Sequence, residues 1–473
     1  MMQQDLGIEP RGRGRIRAGK LALALCGALA GLTANAATTK PGDAPGLVDV
    51  SGEAAPKPAP CPSDLPDTVT CLSGQDSAGA YYMIAKPRDW NGVLVMHAHG
   101  GPTLGDPKLA RAQADLKRWA VWPRNGYAVA MSSYHQGGVE VHAAAQDTER
   151  LRRIFLRDVG KPRLTILHGQ SWGGNVGAIA AELYGTERDG GKPAYDGVLL
   201  TSGVLAGGTR AYDFRIDLRV VYQALCHNHP LPSEPQYPLW MGLPPDSTLT
   251  KEELAKRVDQ CLGVDHPRAE RTAAQQQRLD TLTRVIGIQE DKVVSHLNWA
   301  TWHFQDIVQH RTDGKNPFGN IGVRYTGSPD DAKLNAEVAR YRPDPQAVAK
   351  LRADTDPTGK ITLPELTMHA ANDPTAFVEM EHTYHDIVAK AGRSEHLVQV
   401  FTSDHEHSYL TDADYLAAMG ALLDWVEHGH KPNPQSVAQR CQAGAPYDPP
   451  SECTFLPDYH PAALETRSPA RGG

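Results

Sequence analysis

Short apolar runs alternate with longer amphipathic stretches in two separate parts of the chain. Each run has about the length of one buried strand, and the stretches between the runs carry apolar residues at helical spacing. The predicted strands are AYYMIA, VLVMHA, YAVAMS, LTIL and GVLL in the first part, and LPELTM and LVQVF in the second. The predicted helices cover 146–156, 175–183, 375–391 and 415–426. Apolar strands that alternate with helices predict an α/β fold with a mostly parallel sheet and helices on both faces.

The alternation stops between the two parts, at about 207–358. This segment is polar and mostly helical, and its stretch TKEE, which begins at Thr250, has the pattern of a capping box. We therefore expect one α/β core built from 61–206 and 359–430, with the middle segment inserted as a helical cap or lid. A Pro-rich tail over 431–473 is expected to run along the surface of the core.

The N-terminus has the three parts of a secretory signal. A basic stretch at 11–20 precedes an uncharged apolar run at 21–32, and a small-residue cleavage site, ANA, follows at 34–36. The apolar run is too short to cross a bilayer comfortably, since a span takes about 20 residues. We expect 1–36 to be removed, 37–60 to form a flexible leader, and the protein to be exported to the periplasm or the outside of the cell.

Cysteine usage agrees with export. The six cysteines beyond the signal are Cys61, Cys71, Cys226, Cys261, Cys441 and Cys453. An even number of cysteines in an exported chain favours disulfides. Proximity along the chain favours three local pairs, formed by each cysteine with its nearest neighbour in the order given.

Composition excludes several classes of protein. The chain has 473 residues, of which 40% are hydrophobic and 22% are charged. These fractions exclude a multi-span membrane protein and argue against extensive disorder. The formal net charge is -7 and there is no excess of Lys and Arg, which argues against a nucleic-acid partner. The expected partner is a small molecule, with no membrane span after removal of the signal.

The pentapeptide Gly169-Gln170-Ser171-Trp172-Gly173 has the form G-x-S-x-G. The predicted strand LTIL runs into it, and a helix rich in small residues follows it. A nucleophile elbow needs this strand–turn–helix context, because the serine sits on a strained turn that exposes its hydroxyl. The alternative is a glycine-rich turn whose serine caps the helix. Ser171 is the candidate nucleophile.

A second glycine-rich turn, HGGP at 99–102, ends the strand VLVMHA. Backbone N–H groups already aimed at a reacting carbonyl stabilise the oxyanion that forms on attack. Pro102 has no N–H, so Gly101 is the better candidate donor, with the N–H of Trp172 as the second. Tyr134, after the next strand, could offer a hydroxyl instead. By itself, HGGP would equally fit an ordinary tight turn.

With these motifs the sequence resembles the α/β-hydrolase superfamily over about 78–206 and 360–430. The resemblance implies the α/β-hydrolase fold and a serine hydrolase that needs no cofactor. The chain departs from the family's HGGG type of oxyanion loop at Pro102. The segment 207–358 lies where many members of the family carry a cap or lid over the active site.

The family's order of nucleophile, acid and histidine implies where the other two catalytic residues lie. Asp373 follows the strand LPELTM and is the candidate acid, with Asp404 and Asp386 as weaker alternatives. Its role would be to fix the tautomer of the histidine and to stabilise the imidazolium. His405 and His407 follow the strand LVQVF, and His407 is favoured as the base because it lies closer to the next helix.

Two tryptophans of the inserted segment are candidate substrate-binding residues. Trp299 and Trp302 are three positions apart, so a helix would place both on one face. They could line a slot for an aromatic substrate, or they could simply pack inside the lid.

The expected activity is hydrolysis of a small carboxylic ester by a secreted serine hydrolase, through an acyl-enzyme and without a metal or cofactor. One alternative is an exopeptidase of the prolyl-oligopeptidase-like type, although no propeller repeat precedes the hydrolase part. A metal-dependent hydrolase could use the His-x-His pairs that begin at His97, His227 and His405, but a zinc site needs three or four converging ligands. The remaining alternative is a non-catalytic binding protein on the same fold.

Overall fold

The computed structural model describes residues 48–186, 192–444, 451–469 and 471. The predicted signal over 1–36, and the leader up to residue 47, lie outside the described residues. Across the described ranges, no helix combines the length and the apolar character needed to cross a bilayer.

One sheet contains all the strands of the described residues. They are β1 (Lys57–Ala59), β2 (Val69–Gln75), β3 (Tyr81–Pro87), β4 (Val93–Ala98), β5 (Ala128–Ser132), β6 (Leu164–Gln170), β7 (Gly197–Thr201), β8 (Glu365–Ala370) and β9 (Leu397–Thr402). Their order across the sheet is β1-β2-β3-β5-β4-β6-β7-β8-β9. Strands β4 to β9 run parallel to one another, while β1, β2 and β3 are added antiparallel at one edge. The predicted α/β class with a mostly parallel sheet is confirmed.

The α-helices follow the strands in the order that the sequence pattern indicates. They are α1 (Leu109–Arg118), α2 (Val121–Arg124), α3 (Val141–Asp158), α4 (Trp172–Tyr184), α5 (Gly207–Ala211), α6 (Asp213–Cys226), α7 (Lys251–Leu262), α8 (Ala273–Ile286), α9 (Val293–Asn298), α10 (Phe304–Asp306), α11 (Asp331–Glu337), α12 (Pro345–Thr355), α13 (Glu379–Lys390), α14 (Asp412–His428) and α15 (Pro434–Ala443). Helices α5 to α12 all fall between β7 and β8, within the segment that was expected to be a helical cap.

Helices cover both faces of the sheet. In β4, Leu94 and Met96 belong to the hydrophobic core on one face, together with residues of α3 and α4. Val93 and Val95 belong to the core on the other face, together with residues of α1 and α14. Because successive side chains point to opposite faces of a sheet, a strand that is covered on both sides reads as an unbroken apolar run.

The two ends of the described region contain more regular structure than their composition suggests. The flexible leader predicted over 37–60 needs a correction, because β1 lies within it and pairs with β2. Pro58 fits this position, since proline is tolerated on an edge strand, where its missing N–H breaks no ladder. In the tail, α15 packs against α14, and Phe455 forms a bridge with Thr402 at the end of β9.

Three disulfides link parts of the chain that are close in sequence. They are Cys61–Cys71, Cys226–Cys261 and Cys441–Cys453. These are the local pairs that proximity along the chain favours. The second joins the end of α6 to α7 inside the inserted segment, and the third joins α15 to the tail.

Candidate active site

Five of the predicted site residues lie just beyond the carboxyl ends of parallel strands. Gly101 follows β4, Tyr134 follows β5, Ser171 follows β6, Asp373 follows β8 and His407 follows β9. The carboxyl ends of parallel strands share one edge of a sheet, and the loops at that edge form the usual ligand crevice of open α/β folds.

Ser171 occupies a strained turn between β6 and α4. Its backbone angles are φ 58° and ψ -123°, in a region that residues with a side chain rarely adopt. The glycines on either side allow this turn. A Cβ at Gly173 would lie 2.1 Å from the carbonyl oxygen of Ala98, and one at Gly169 would lie 2.2 Å from the carbonyl oxygen of Gly173. The turn therefore has the strand–turn–helix geometry that the pentapeptide predicts.

The hydroxyl of Ser171 is the first member of a chain of hydrogen bonds. It donates to Nε2 of His407 at 2.8 Å, and Nδ1 of His407 donates to Oδ2 of Asp373, also at 2.8 Å. The other carboxylate oxygen of Asp373 accepts from the backbone N–H groups of Thr375 and Ala376. One carboxylate oxygen of Asp373 thus holds the backbone of the following turn, and the other holds His407.

The weaker candidates lie elsewhere. His405 is exposed. Asp404 accepts a hydrogen bond from Thr454 at 2.8 Å, and Asp386 is a surface residue beside His382. The structure therefore brings together the three residues that the sequence favoured, and their catalytic role remains a prediction.

The turn that contains Gly101 lies near Ser171 and has free space around it. Gly101 has φ 71°, and a Cβ built there would meet nothing within 4 Å. Trp172 opens α4, where the first N–H groups have no carbonyl partner within the helix. Tyr134 stabilises the turn, since its hydroxyl donates to the carbonyl oxygen of His99 at 3.2 Å. His99 is in turn hydrogen-bonded through Nδ1 to the buried Asp115.

The sheet has a mostly parallel order of strands. At one of its edges lie both the strained turn of Ser171 and the hydrogen bonds that link Ser171 through His407 to Asp373. The chain has the α/β-hydrolase fold. In this fold the nucleophile, the acid and the histidine follow one another along the chain in the order found here.

Comparisons with known proteins give limited overlap. No family model matches the chain. An o-phthalyl amidase from Xanthobacter agilis is 29% identical over 130 residues, and the match spans 27% of this chain and 25% of the amidase. A solved esterase from Aspergillus oryzae superposes with a TM-score of 0.45 and 13% identity, covering 82% of this chain and 89% of the esterase. Feruloyl esterase B from Aspergillus oryzae superposes with a TM-score of 0.37 and 12% identity, covering 82% of this chain and 89% of the feruloyl esterase.

His369, a buried histidine of β8, lies next to the carboxylate of Asp373. Nδ1 of His369 lies 3.1 Å from Oε1 of Glu381, and Nε2 of His369 lies 3.4 Å from Oδ2 of Asp373. Burial opposes a charge on the imidazole, but the two carboxylates outweigh it and raise the pKa of His369 to about 10. Burial would also raise the pKa of Asp373, yet His407 and His369 hold that pKa well below its ordinary value. Asp373 is therefore ionised throughout the neutral range.

The loop that carries His407 is held from two sides. Gln170, next to the nucleophile, donates a side-chain hydrogen bond to the hydroxyl of Ser408. Arg118, at the end of α1, donates to the carbonyl oxygen of Ser408 at 2.6 Å. These contacts fix the backbone directly after His407, and so they restrict where its imidazole lies.

One helical stretch, 293–311, reaches from the loop of Asp373 to the HGGP turn, and we call it the bridging helix. His296 donates through Nε2 to the carbonyl oxygen of Pro374 at 3.1 Å, and His303 donates to that of Pro102 at 3.0 Å. Burial lowers the pKa of both histidines to about 3, so both are neutral. The bridging helix contains two π-helical turns, a feature frequent at functional sites.

The two tryptophans of the bridging helix have different neighbours. Trp299 stacks on His303, with ring centroids 3.9 Å apart, and so lies between the two loops that the helix connects. Trp302 lies near Lys251 of α7, at 5.9 Å from its ammonium group. The contacts therefore place Trp299 beside the candidate active site, and they give Trp302 a separate environment within the inserted segment. Substrate contact by either remains a prediction.

The His-x-His pairs do not converge in the described part of the chain. Nδ1 of His97 lies 3.0 Å from the imidazole of His168, whereas His99 pairs with Asp115 and His229 contacts Thr301. Two groups of three side chains in the described residues are close enough to share a metal ion, and neither includes a member of these pairs.

The sequence did not single out His369, Glu381 or Gln170, nor His296 and His303 of the bridging helix. A signal existed for His369, because it directly follows the predicted strand LPELTM, where a buried polar side chain needs partners. Of its two carboxylate partners, Asp373 lies only four positions further along the chain, whereas Glu381 belongs to α13.

Proposed function

We propose that this protein is a serine hydrolase that cleaves carboxylic esters through an acyl-enzyme on Ser171. The hydrogen-bonded chain from the hydroxyl of Ser171 through His407 to the buried carboxylate of Asp373 is the observation that carries the proposal. This arrangement gives a neutral hydroxyl a base that can take its proton as it attacks.

The geometry suggests the following sequence of steps. The Oγ of Ser171 attacks the ester carbonyl carbon while Nε2 of His407 takes the hydroxyl proton. Asp373 keeps the Nδ1–H tautomer and stabilises the imidazolium that forms. The N–H groups of Gly101 and Trp172 are the proposed donors to the oxyanion.

The second half of the reaction returns the enzyme to its starting state. The imidazolium of His407 gives its proton to the leaving alkoxide, so that an alcohol departs and an acyl ester remains on Ser171. A water molecule then loses a proton to the same nitrogen and attacks the acyl group. Ser171 leaves as the hydroxyl, and the products are one alcohol and one carboxylic acid.

Amide hydrolysis is the second candidate, because the matched relative is an o-phthalyl amidase. The same residues would serve, with His407 protonating a leaving amine instead of an alkoxide. Export through a secretory signal belongs to the proposal as well. The three disulfides of the described residues support it, since disulfides persist mainly in oxidising compartments.

A fluorophosphonate probe, followed by a panel of p-nitrophenyl esters and aminoacyl anilides, tests the proposal. The probe should label the natural protein and the control Ser403→Ala, whose side chain is exposed, but it should not label Ser171→Ala. Ester turnover should fall to background in Ser171→Ala. Faster turnover of anilides would favour the exopeptidase. Turnover that survives in Ser171→Ala but is lost to a chelator would contradict the triad, and the absence of both labelling and turnover would indicate a binding protein.

A further inference from the structure

Arg215, in α6, is a buried cation that has no carboxylate partner among the described residues. Its side chain is among the buried charged groups, at 6% exposure. Within the described residues no carboxylate oxygen lies within 4.0 Å of its guanidinium, and its one hydrogen bond runs from Nη1 to the carbonyl oxygen of Ala211 at 3.1 Å. The Nε–H has no partner there. A guanidinium carries five N–H donors, so most of its donor capacity is unused.

Burial of an unpaired charge is costly, so an isolated buried cation calls for an explanation. Burial lowers the pKa of Arg215 to about 10, which still leaves it charged in the neutral range. Other buried arginines are compensated. Arg152 pairs with Glu149. Arg219, one turn further along α6, has no carboxylate within 4.0 Å in the described residues either, but it donates to the carbonyl oxygen of His229 and to the hydroxyl of Tyr237.

The surroundings of Arg215 connect it to the candidate active site. Its guanidinium lies 5.1 Å from the ring of Tyr212, 4.5 Å from that of Phe214 and 5.0 Å from that of Trp299. The ring of Tyr212 is 6.0 Å from that of Trp172, the residue after the nucleophile. Arg215 therefore lies between the start of α4 and the bridging helix, which are two sides of the candidate site.

We propose that Arg215 binds a carboxylate of the substrate, so that the preferred esters or amides carry a negative charge away from the bond that is cleaved. A guanidinium is the group best suited to bind a carboxylate through two parallel hydrogen bonds. The rings of Phe214 and Trp299 beside it provide flat apolar surface for the part of the substrate that carries the charge. This inference rests on the proposed hydrolase function and specifies its substrate class.

Matched pairs of substrates test the proposal. One pair places the charge on the acyl side and compares the mono-p-nitrophenyl ester of glutaric acid with p-nitrophenyl pentanoate. The other pair places it on the leaving group and compares acetoxybenzoate with phenyl acetate. We expect the natural protein to have the higher kcat/KM for the charged member of one pair, and the pair that shows the preference identifies the side of the substrate that Arg215 contacts.

The variants Arg215→Gln, Arg215→Lys and Arg219→Gln separate recognition from folding. A charge-assisted hydrogen bond is worth enough to change a rate constant about 10- to 100-fold, so Arg215→Gln should lower the ratio of charged to neutral kcat/KM by that factor. Arg215→Lys should restore part of the ratio. Arg219→Gln removes a similarly buried guanidinium from the same helix and should leave the ratio as it is. Equal losses for both substrates in the two Gln variants would mean that Arg215 is only structural.

A binding measurement keeps this inference separate from the proposed function. Benzoate and benzamide have the same ring and differ in charge. Calorimetry can compare the binding of the two ligands, and this measurement requires no turnover. Benzoate should bind more tightly than benzamide, and Arg215→Gln should lower the affinity for benzoate about tenfold or more. Neutral esters that are hydrolysed without any preference for charge, together with equal binding of benzoate and benzamide, would overturn the role of Arg215 and leave the hydrolase intact. Selective benzoate binding without hydrolysis would support Arg215 and overturn the hydrolase.

Discussion

Replacement of Gly173 by alanine should separate the nucleophile helix from the oxyanion turn. Gly173 lies in the first turn of α4, directly against the backbone that leads into the HGGP turn. A Cβ at this position would lie 2.1 Å from the carbonyl oxygen of Ala98 and 2.6 Å from that of His99. Both atoms belong to backbone, so neither can move aside by a change of rotamer.

The size of the displacement follows from these distances. Real Cβ contacts are essentially never shorter than 3.0 Å, so α4 and the end of β4 must move apart by at least 0.9 Å, the difference between 3.0 and 2.1 Å. A misplacement of about 1 Å at reacting groups costs roughly 100-fold in rate. Overpacking costs about 1–3 kcal/mol of stability, and the gain in helix propensity from glycine to alanine, about 1 kcal/mol, offsets part of it.

Steady-state kinetics on p-nitrophenyl esters and urea unfolding would measure the two effects. The matched control is Gly177→Ala, one turn further along α4, where the new Cβ would first meet Cδ2 of Leu200 at 2.7 Å. That atom is the end of a flexible side chain, so kcat should change little. The reasoning would be refuted if folded Gly173→Ala kept a kcat within about threefold of the natural protein, because the predicted loss is much larger.

Three further predictions concern the groups around this centre. Asp373→Asn should lower kcat by about 10⁴-fold with little change in KM, since the imidazole would lose its orienting carboxylate; an unchanged kcat would exclude Asp373 as the acid. His369→Gln should lower the free energy of unfolding by about 3–5 kcal/mol near neutral pH, because it removes the cation that two buried carboxylates share. The stabilisation by a cationic His369 is complete below its unfolded pKa and is lost as the pH rises through about 10. In urea unfolding, the difference in free energy of unfolding between natural protein and variant should therefore shrink as the pH approaches 10. A difference that stays constant with pH would mean that His369 is neutral. Replacement of Cys226 and Cys261 by serine should lower stability by about 2–4 kcal/mol, measured by urea unfolding under non-reducing conditions; no loss would indicate that this disulfide constrains the chain little.

Local motifs were enough to predict the fold class and the residues that meet at its edge. The pentapeptide around Ser171 needs a strand before it and a helix after it, and the sequence shows both. Asp373 and His407 were found in the same way, because each follows an apolar run long enough for one buried strand. Apolar runs work well as a signal here because strands such as β4, β7 and β9 are covered on both faces, so that their sequences contain few polar residues.

Where the sheet is exposed on one side, that signal disappears. β2 has the sequence VTCLSGQ, and only Val69 and Cys71 are buried, because the strand lies near the antiparallel edge. β1 is shorter still and contains a proline. Neither strand was predicted, and residues assigned to the leader form part of the sheet as a result.

Contacts between distant segments were also beyond the reach of local patterns. Arg215 has the same residue type and nearly the same helical surroundings as Arg219. Within the described residues Arg219 donates two side-chain hydrogen bonds and Arg215 only one, and the guanidinium of Arg215 lies beside Trp299 of the bridging helix, some 80 positions away. The contact of His369 with Glu381 likewise depends on where α13 lies relative to β8.

The charges around the candidate site fall into two independent sets. The carboxylates of Asp373 and Glu381 share the cation of His369, and His407 supplies a second positive charge when it is protonated during the reaction. The pKa of Asp373 reflects burial and the two histidines, and no ion pair in the described residues joins Asp373 to Arg215. Because the acid is compensated without it, the guanidinium of Arg215 remains available for a substrate anion. Changes at independent sites add within about 0.5 kcal/mol, so the double variant of His369→Gln and Arg215→Gln should show the stability loss of the first and the selectivity loss of the second, each nearly unaltered.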